Sequence, residues 1–270
     1  MESVSDMLGI DKVNMGGKII LIEERHDINA SFLLNSIIFD ALKKNYGICF
    51  VLFHNTFNHY HNVSMKFGYN LTILREEGKV KIVEPMKVIA TIMQCIDGNT
   101  TNKLNVPVTK PSFDNKDNII LNLLTVIKNA YLEMTKHDNP VIIVIDDLSH
   151  LYNLGFSLKD TMYYVRYLRS LVEFNNVSQL CLVIHTYERE LHSCILNTFV
   201  HSLKHMAHLF VMVEPFETGY SSDASGKITV NWRIDNIRRK YNWSEIVRYI
   251  YKLSDRQVKI YTPGTLAMLV

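Results

Sequence analysis

The feature that most constrains this chain is a set of short, unbroken apolar runs. The strongest is Val141–Ile145 (V-I-I-V-I), and residues 18–23, 48–53 and 180–184 have the same character. Runs of this length fit strands better than helices, and a strand with one exposed face would alternate apolar and polar residues. We therefore predict strands that are buried on both faces, as in a parallel sheet covered by helices.

Amphipathic segments between these runs predict the covering helices. Leu34, Ile37 and Ile38 share one helical face after the first run, and a longer helix is predicted from Asp117 onward. Residues 157–160 (S-L-K-D) fit a capping box that begins another helix. Strands that alternate with helices in this way predict an α/β fold with a mostly parallel sheet.

The last third of the chain changes from a helical to a strand-like period. Four strands are predicted there, at residues 209–213, 228–233, 246–253 and Gln257–Tyr261. Their polar connections predict an antiparallel meander that continues the sheet. We expect a single domain over residues 18–270, an N-terminal extension over residues 1–17, and an exposed loop at about residues 97–116.

Composition excludes several classes of protein for this 270-residue chain. Its 29 basic and 27 acidic residues give a net charge of +2, which excludes a strongly basic nucleic-acid-binding tail and an acidic disordered chain. No apolar run reaches about 18 residues, so we expect no transmembrane helix and no membrane partner. The four cysteines form no C-x-x-C pair, and we expect a reducing compartment, the cytoplasm, with the nucleus as a second location.

The segment after the first predicted strand bears on nucleotide binding. A phosphate-binding loop needs glycines, a lysine for the phosphates and a Ser or Thr for magnesium. Residues 23–31 (E-E-R-H-D-I-N-A-S) contain no glycine and no lysine, and Glu23 and Glu24 would repel a polyanion. Asp146 and Asp147 follow an apolar run as in a Walker B segment, and the alternative is that they cap the next turn. We therefore expect no nucleotide cofactor and no ATPase activity.

Two groups of histidines could bind a metal and one histidine could form an acid–base pair, but we favour a simpler interpretation of each. The first group is His54, His59 and His61, and the second is His201, His205 and His208. Neither spacing matches a common zinc motif, so we predict solvated histidines in a loop and at a helix end, and no metal site. His185 and Asp146 both follow strands and would form an acid–base pair, although no nucleophile-elbow motif accompanies them. A small metal-dependent enzyme that uses the first group remains a rival hypothesis.

The densest basic group predicts contact with RNA. Its members are Arg233, Arg238, Arg239 and Lys240. Tyr241 and Trp243 follow them, and positive charge beside aromatic rings is typical of RNA binding through phosphate contacts and base stacking. The alternative is a solvated hairpin loop.

Four stretches of sequence resemble the Elongator complex protein 6 family of animals. They are residues 57–71 (FNHYHNVSMKFGYNL), 141–155 (VIIVIDDLSHLYNLG), 208–219 (HLFVMVEPFETG) and 225–233 (SGKITVNWR). The resemblance is distributed in order from about residue 18 to the C-terminus, which makes it more specific than any single motif. It implies a RecA-like fold that has lost its Walker motifs, in agreement with the interpretation of residues 23–31.

The resemblance also implies partners and a role. It implies assembly with Elongator proteins 4 and 5 into a heterohexameric ring, which binds tRNA and serves the larger Elongator complex in modifying the wobble uridine. It implies no catalytic residue in this chain, because the chemistry belongs to another subunit. The alternative is an active RecA-type ATPase of DNA repair, which predicts magnesium-dependent ATP binding.

A ring subunit needs apolar faces toward its neighbours, and one predicted helix is our candidate for such a face. The helix over residues 157–174 carries Tyr163, Arg166, Tyr167 and Arg169. Tyrosine and arginine are enriched at protein interfaces and carry much of their binding energy. We therefore predict that these four residues contact a neighbouring subunit.

Overall fold

The structure is a computed structural model that describes residues 4–26, 28–96, 116–136, 139–186, 194–216, 224–254 and 257–262. The described residues form nine strands and ten helices. The strands are β1 (Ile19–Arg25), β2 (Gly47–Val51), β3 (Val80–Val83), β4 (Val141–Ile145), β5 (Gln179–Thr186), β6 (Leu209–Glu214), β7 (Gly226–Trp232), β8 (Ile246–Ser254) and β9 (Gln257–Tyr261). The helices are α1 (Val4–Leu8), α2 (Ser31–Lys43), α3 (Phe57–Lys66), α4 (Leu71–Glu76), α5 (Pro85–Ile96), α6 (Lys116–Met134), α7 (His150–Asn153), α8 (Leu158–Asn175), α9 (Cys194–Met206) and α10 (Asp235–Tyr241). Apart from Lys116, which begins α6, the loop predicted at residues 97–116 lies outside the described residues.

All nine strands join one sheet in the order β3-β2-β4-β5-β1-β6-β7-β8-β9. The pairs from β3 to β6 are parallel, and the pairs from β6 to β9 are antiparallel. The predicted α/β fold, a mostly parallel sheet flanked by helices and continued by an antiparallel meander, is confirmed. One predicted connection is wrong, because a helix, α10, and not a hairpin loop joins β7 to β8.

Two helical layers cover the parallel part of the sheet, one on each face. Ile20 and Ile22 of β1 pack into a core cluster with α2, whereas Ile19 and Leu21 pack into a second cluster with α6 and α8. Both faces of β1 are therefore buried, which explains why the first apolar run contains no alternating polar residue. None of the helices in the described ranges has the length and apolar character needed to cross a bilayer.

The N-terminal segment, expected as an extension, lies against the larger core. Met7, Leu8 and Ile10 belong to the cluster that includes α2, and α1 contacts both α2 and β9. The indole N–H of Trp232 donates to the carbonyl of Leu8 at 2.8 Å. The boundary drawn at residue 18 therefore does not separate the segment from the core, since its apolar side chains share the same buried cluster.

The carboxyl ends of β1, β2, β4 and β5 meet at one edge of the sheet. In the register of the sheet, Glu24 of β1 pairs with His185 of β5, and Val51 of β2 pairs with Ile145 of β4. Residues that follow these strands are thereby gathered at a single edge. Open parallel sheets bind their ligands at this edge, outside the carboxyl ends of the strands.

Candidate functional site

The connection from β1 to α2 holds two glutamates at this sheet edge. Glu24 Oε1 accepts a hydrogen bond from the N–H of Ala30, the residue before α2, at 2.6 Å. Glu23 is buried, and its Oε2 lies 2.7 Å from Lys204 Nζ. The first N–H groups of a helix have no partner within the helix and attract anions. In this chain an internal carboxylate accepts one of the hydrogen bonds that a bound phosphate would otherwise accept.

His185 of β5 contacts the same glutamate. The Nδ1 of His185 lies 3.1 Å from Glu24 Oε2, so the histidine forms its acid–base contact with Glu24 and not with the predicted partner Asp146. Burial lowers the pKa of His185, but the hydrogen bond and the charge of Glu24 outweigh burial and raise the pKa above its usual range. The contact connects the ends of two adjacent strands and leaves Glu24 with protein partners on both oxygens.

Asp146, which follows β4, holds the turn after β2. Its carboxylate accepts three backbone N–H groups, from Phe53 at 2.6 Å, from His54 at 3.1 and 3.2 Å to the two oxygens, and from Asn55 at 2.9 Å. Burial raises the pKa of Asp146 to about 6, although these hydrogen bonds act in the opposite direction. Asp146, the acid in the Walker B position, therefore links the ends of β2 and β4 by hydrogen bonds.

Asp147 shows the turn-capping role that we considered as the alternative. Its Oδ1 accepts the backbone N–H of Ser149 at 2.8 Å and the hydroxyl of the same residue at 2.7 Å. An aspartate that accepts the N–H two residues ahead forms a local turn. The capping interpretation is confirmed for this residue.

The histidines after β2 do not form the group that the metal-site hypothesis required. His54 Nδ1 lies 2.8 Å from His150 Nε2, whereas His61 Nδ1 lies 3.3 Å from Thr72 Oγ1. The group that does form is His54, Asp147 and His150, which we call the His–Asp–His group; one ligand atom from each lies within 4.8 Å of the others. Only the pairing of β2 with β4 brings these residues together, so spacing along the chain gave no signal for them.

The second set of histidines also divides. His201 Nε2 and His205 Nε2 lie 2.9 Å apart on the exposed side of α9. His208 is turned toward the sheet, where its Nδ1 accepts the N–H of Ile19 at 3.0 Å. Burial lowers the pKa of His208, and the positive charges of Lys18 and Arg169 lower it further. The helical spacing of the three residues therefore does not produce a common site.

The basic group lies on and beside α10, and its members differ in how they are held. Arg238 forms ion pairs with Asp235 and, at 3.4 Å, with Glu245. Arg233 donates from Nη1 to the carbonyl of Lys204 at 2.6 Å. Arg239 and Lys240 are exposed, so they present the charge of this group most directly to solvent.

The aromatic residues beside this group pack inward. The ring of Tyr241 stacks on Trp243 with centroids 4.8 Å apart, and Trp243 lies 5.6 Å from Trp232. The hydroxyl of Tyr241 donates to the carbonyl of Lys12 at 2.7 Å. Both rings are half-buried and pack on each other, and the Tyr241 hydroxyl bonds the N-terminal segment, so part of their surface is already used within the protein. RNA binding by the charged residues stays a prediction.

The outer face of α8 combines exposed and half-buried members of the predicted interface. Tyr163 is 51% exposed and Arg166 is exposed, while Tyr167 packs partly against the second core cluster. Arg169 pairs with Glu173 on the same helix at 2.7 Å. The four residues thus lie on one helix, but only Tyr163 and Arg166 are mainly directed to solvent.

Sequence reasoning missed the most exposed apolar residue of this helix. Phe174 is 93% exposed, and it follows Tyr163 by eleven residues, or about three helical turns, which places the two rings on the same side. The sequence does indicate that Phe174 is exposed, because this residue falls outside the apolar stripe of α8 that contains the buried Val165, Leu168 and Val172. Aromatic residues are enriched at protein interfaces, which makes Phe174 a candidate for contact with another chain.

The topology and the strand-edge geometry define the class of protein first. The chain resembles a KaiC-like protein from the archaeon Pyrococcus horikoshii, with a TM-score of 0.54 and 15% identity over 91% of this chain and 90% of that one. A second Pyrococcus horikoshii protein, solved with an unknown peptide, gives a TM-score of 0.59 at 10% identity, covering 92% of this chain and 93% of that one. The fold is therefore RecA-like, as predicted.

Sequence comparison then gives the family. The profile of the family described as Elongation complex protein 6 matches residues 3–255. Elongator complex protein 6 of Homo sapiens is 26% identical over 262 residues, covering 94% of this chain and 93% of the human protein. The protein of the same name from Danio rerio is 28% identical over 252 residues, covering 92% and 91%. The chain belongs to this family, and the resemblance identified in the sequence is confirmed.

Proposed function

We propose that this chain is a non-catalytic subunit of the Elongator complex. In this proposal it assembles with Elongator proteins 4 and 5 into a heterohexameric RecA-like ring that binds tRNA and supports modification of the wobble uridine by the larger complex. The observation that carries the proposal is the family match over nearly the whole chain. The internal carboxylates at the sheet edge support the non-catalytic part of it.

The electrostatics of the β1–α2 connection disfavour a nucleotide. Glu24 already accepts the N–H of Ala30 and contacts His185, so a phosphate in this position would displace a carboxylate or lie beside it. Two unit charges of the same sign about 4 Å apart repel by about 4 kcal/mol at an effective dielectric near 20. Repulsion of this size without compensation would weaken binding by several hundredfold, and the neighbouring Lys204 and His185 offset part of it.

The outer face of α8 supports assembly. Tyr163, Arg166 and Phe174 present two rings and a guanidinium on one side of a long helix. Arginine and aromatic side chains contribute much of the binding energy of protein interfaces, whereas two rings exposed to water add no stability to an isolated chain. We propose that a ring neighbour covers this face.

Co-expression tests the proposal as a whole. The chain is produced with Elongator proteins 4 and 5, and the mass of the purified assembly is measured under native conditions. We expect a heterohexamer that binds tRNA, and isothermal calorimetry on the isolated chain with magnesium and ATP is expected to give no heat of binding. Tight ATP binding at the β1–α2 connection would contradict the non-catalytic role and favour the RecA-type DNA-repair ATPase. Failure to co-purify would contradict the ring.

A variant pair tests the α8 face. Phe174→Ser removes the exposed ring, and we expect it to weaken assembly by about tenfold or more, because aromatic anchors carry much of an interface's energy. Met65→Ser is the matched control, since Met65 is 53% exposed on α3, in the opposite helical layer. Assembly is measured by size-exclusion chromatography over a dilution series. Equal effects of both substitutions on assembly would show that α8 is not part of the interface.

A further inference from the structure

The His–Asp–His group lies outside every contact that the proposed function uses. His54 follows β2, and Asp147 and His150 follow β4, so two separate turns meet in this group. His54 Nδ1 and His150 Nε2 are 2.8 Å apart, and His150 Nε2 and Asp147 Oδ2 are 3.6 Å apart. We propose that His54, Asp147 and His150 bind a transition-metal ion of the Zn²⁺ type.

Contacts behind the group orient its ligands. Asp147 is 5% exposed, and Ser149 occupies its Oδ1 with two hydrogen bonds, which turns Oδ2 toward His150. The backbone N–H of His54 is fixed by the carboxylate of Asp146. Metal-binding side chains are commonly held by such outer contacts, which set the direction of the ligand atom.

The spacing of the ligand atoms suits a tetrahedral ion. A zinc–nitrogen distance of about 2.0–2.1 Å implies ligand atoms about 3.3 Å apart. The distances of 2.8 and 3.6 Å lie on either side of that value, and all three ligand atoms lie within 4.8 Å of one another, so rotations of the side chains would bring them onto one ion. At 3.6 Å the Asp147–His150 contact is too long for a hydrogen bond. In the metal-bound form each imidazole offers a lone pair to the ion and carries its proton on the other ring nitrogen.

The donor set selects the class of metal. Two imidazole nitrogens and one carboxylate oxygen suit Zn²⁺ and its neighbours, whereas Mg²⁺ and Ca²⁺ prefer oxygen ligands alone. His54 is exposed, so the remaining coordination position is open to water or to a side chain of another subunit. A bound ion would join the turn after β2 to the turn after β4 and stabilise this edge of the sheet.

Metal binding by the full-length chain tests this proposal. The protein is stripped with a chelator, dialysed against Zn²⁺ and analysed for bound metal, and Co²⁺ is used in parallel because its visible spectrum reports coordination by nitrogen and oxygen. We expect one ion per chain and a rise in melting temperature with Zn²⁺. His150→Ala and His54→Ala are each expected to weaken binding by about 100-fold or more, since each removes one of three ligands.

Two control variants separate this site from the other histidines. His61→Ala removes a neighbouring ring that contacts Thr72, and His201→Ala breaks the exposed pair on α9. Both are expected to bind Zn²⁺ as the wild type does. Loss of the bound ion in His201→Ala, or a wild-type chain that binds no stoichiometric Zn²⁺ or Co²⁺, would overturn the proposal. Since His54 is exposed, His54→Ala provides a folded variant even if His150→Ala unfolds.

Discussion

Asp146 shows how a residue type that suggests magnesium binding acquires a structural role. In the sequence it follows an apolar strand, and nothing in the chain order reveals that the turn after β2 supplies three N–H groups to it. The acid could be found from the sequence, but its partners could not, because they lie more than ninety residues away. The same holds for Glu24, whose contact with His185 depends on the register of β1 and β5.

Asp146→Ala is expected to lower the free energy of unfolding by about 2–4 kcal/mol, since it leaves three backbone N–H groups without their acceptor. Asp146→Asn keeps one acceptor oxygen and should lose less. Urea unfolding monitored by circular dichroism measures both variants. A loss below about 1 kcal/mol for the alanine variant would show that water replaces the carboxylate in this turn.

His208 is expected to make the stability of the folded chain depend on pH. Burial and the charges of Lys18 and Arg169 lower the pKa of His208, whereas Glu173 opposes them. The unfolded chain therefore takes up this proton first as the pH falls. The stability that neutral His208 gives to the folded chain is fully present above about pH 6.5. It is lost as the pH falls below that value toward the folded-state pKa.

His208→Asn retains an acceptor for the N–H of Ile19 and removes the titration. We expect the free energy of unfolding of this variant to fall less than that of the wild type between about pH 7 and pH 5. Urea unfolding over that range provides the comparison, and His201→Asn, on the exposed side of α9, is the control. Parallel curves for wild type and His208→Asn would refute the assignment.

At the scale of elements, the strands were predictable and several helices were not. The apolar runs identified β1, β2, β4 and β5 because burial on both faces leaves no ambiguity of period. Among the helices that were not predicted, α4 has only six residues and is capped by Asn70, and α5 begins at Pro85, two residues after β3 ends at Val83. Proline is favourable at the first position of a helix, so a residue that suggested the end of a strand begins the next helix.

The attachment of the N-terminal segment is testable at Gly9. This glycine has φ +69°, and a Cβ placed on it would overlap the ring of Trp243. We expect Gly9→Ala to destabilise the chain by about 1–3 kcal/mol, through backbone strain and displacement of the indole. Gly68 is the matched control, because it has φ +88° and nothing within 4 Å of the added carbon. Urea midpoints of the two variants should therefore differ, and equal midpoints would exclude a role for the indole contact.

The exposed charges of α10 provide a test of the proposed binding of tRNA by the proposed ring. Arg239→Ala with Lys240→Ala should weaken tRNA binding and reduce its salt dependence, by about 0.7–0.9 in log–log slope for each phosphate that is no longer neutralised. Arg238 is left in place, because its ion pairs with Asp235 and Glu245 support the local structure.

The double variant Lys66→Ala with Arg75→Ala removes the same charge from another exposed surface. Filter binding at two salt concentrations compares the two double variants with the wild type. If the control variant weakens binding as strongly as the α10 variant, the effect is due to net charge. In that case α10 makes no specific contact with the RNA.

The fold of the whole chain was accessible from sequence, whereas its sites were only partly so. Fold follows from the period and length of apolar runs, and each run carries that signal by itself. A site depends on which strand ends become neighbours, and the order β2-β4-β5-β1 is a property of the complete sheet. This is why the rival metal-site hypothesis joined His54 to His59 and His61, which are close in sequence, whereas in the structure His54 contacts His150.

Glu24 also bears on how such a subunit would respond to the energy state of the cell. Nucleotide-dependent switches change shape when a γ-phosphate arrives or departs, whereas here the carboxylate of Glu24, a residue of the chain itself, accepts the N–H of Ala30 at the start of α2. We expect a conformation that is indifferent to the ratio of ATP to ADP. In a ring whose other subunits changed shape with the bound nucleotide, this chain would keep a single conformation.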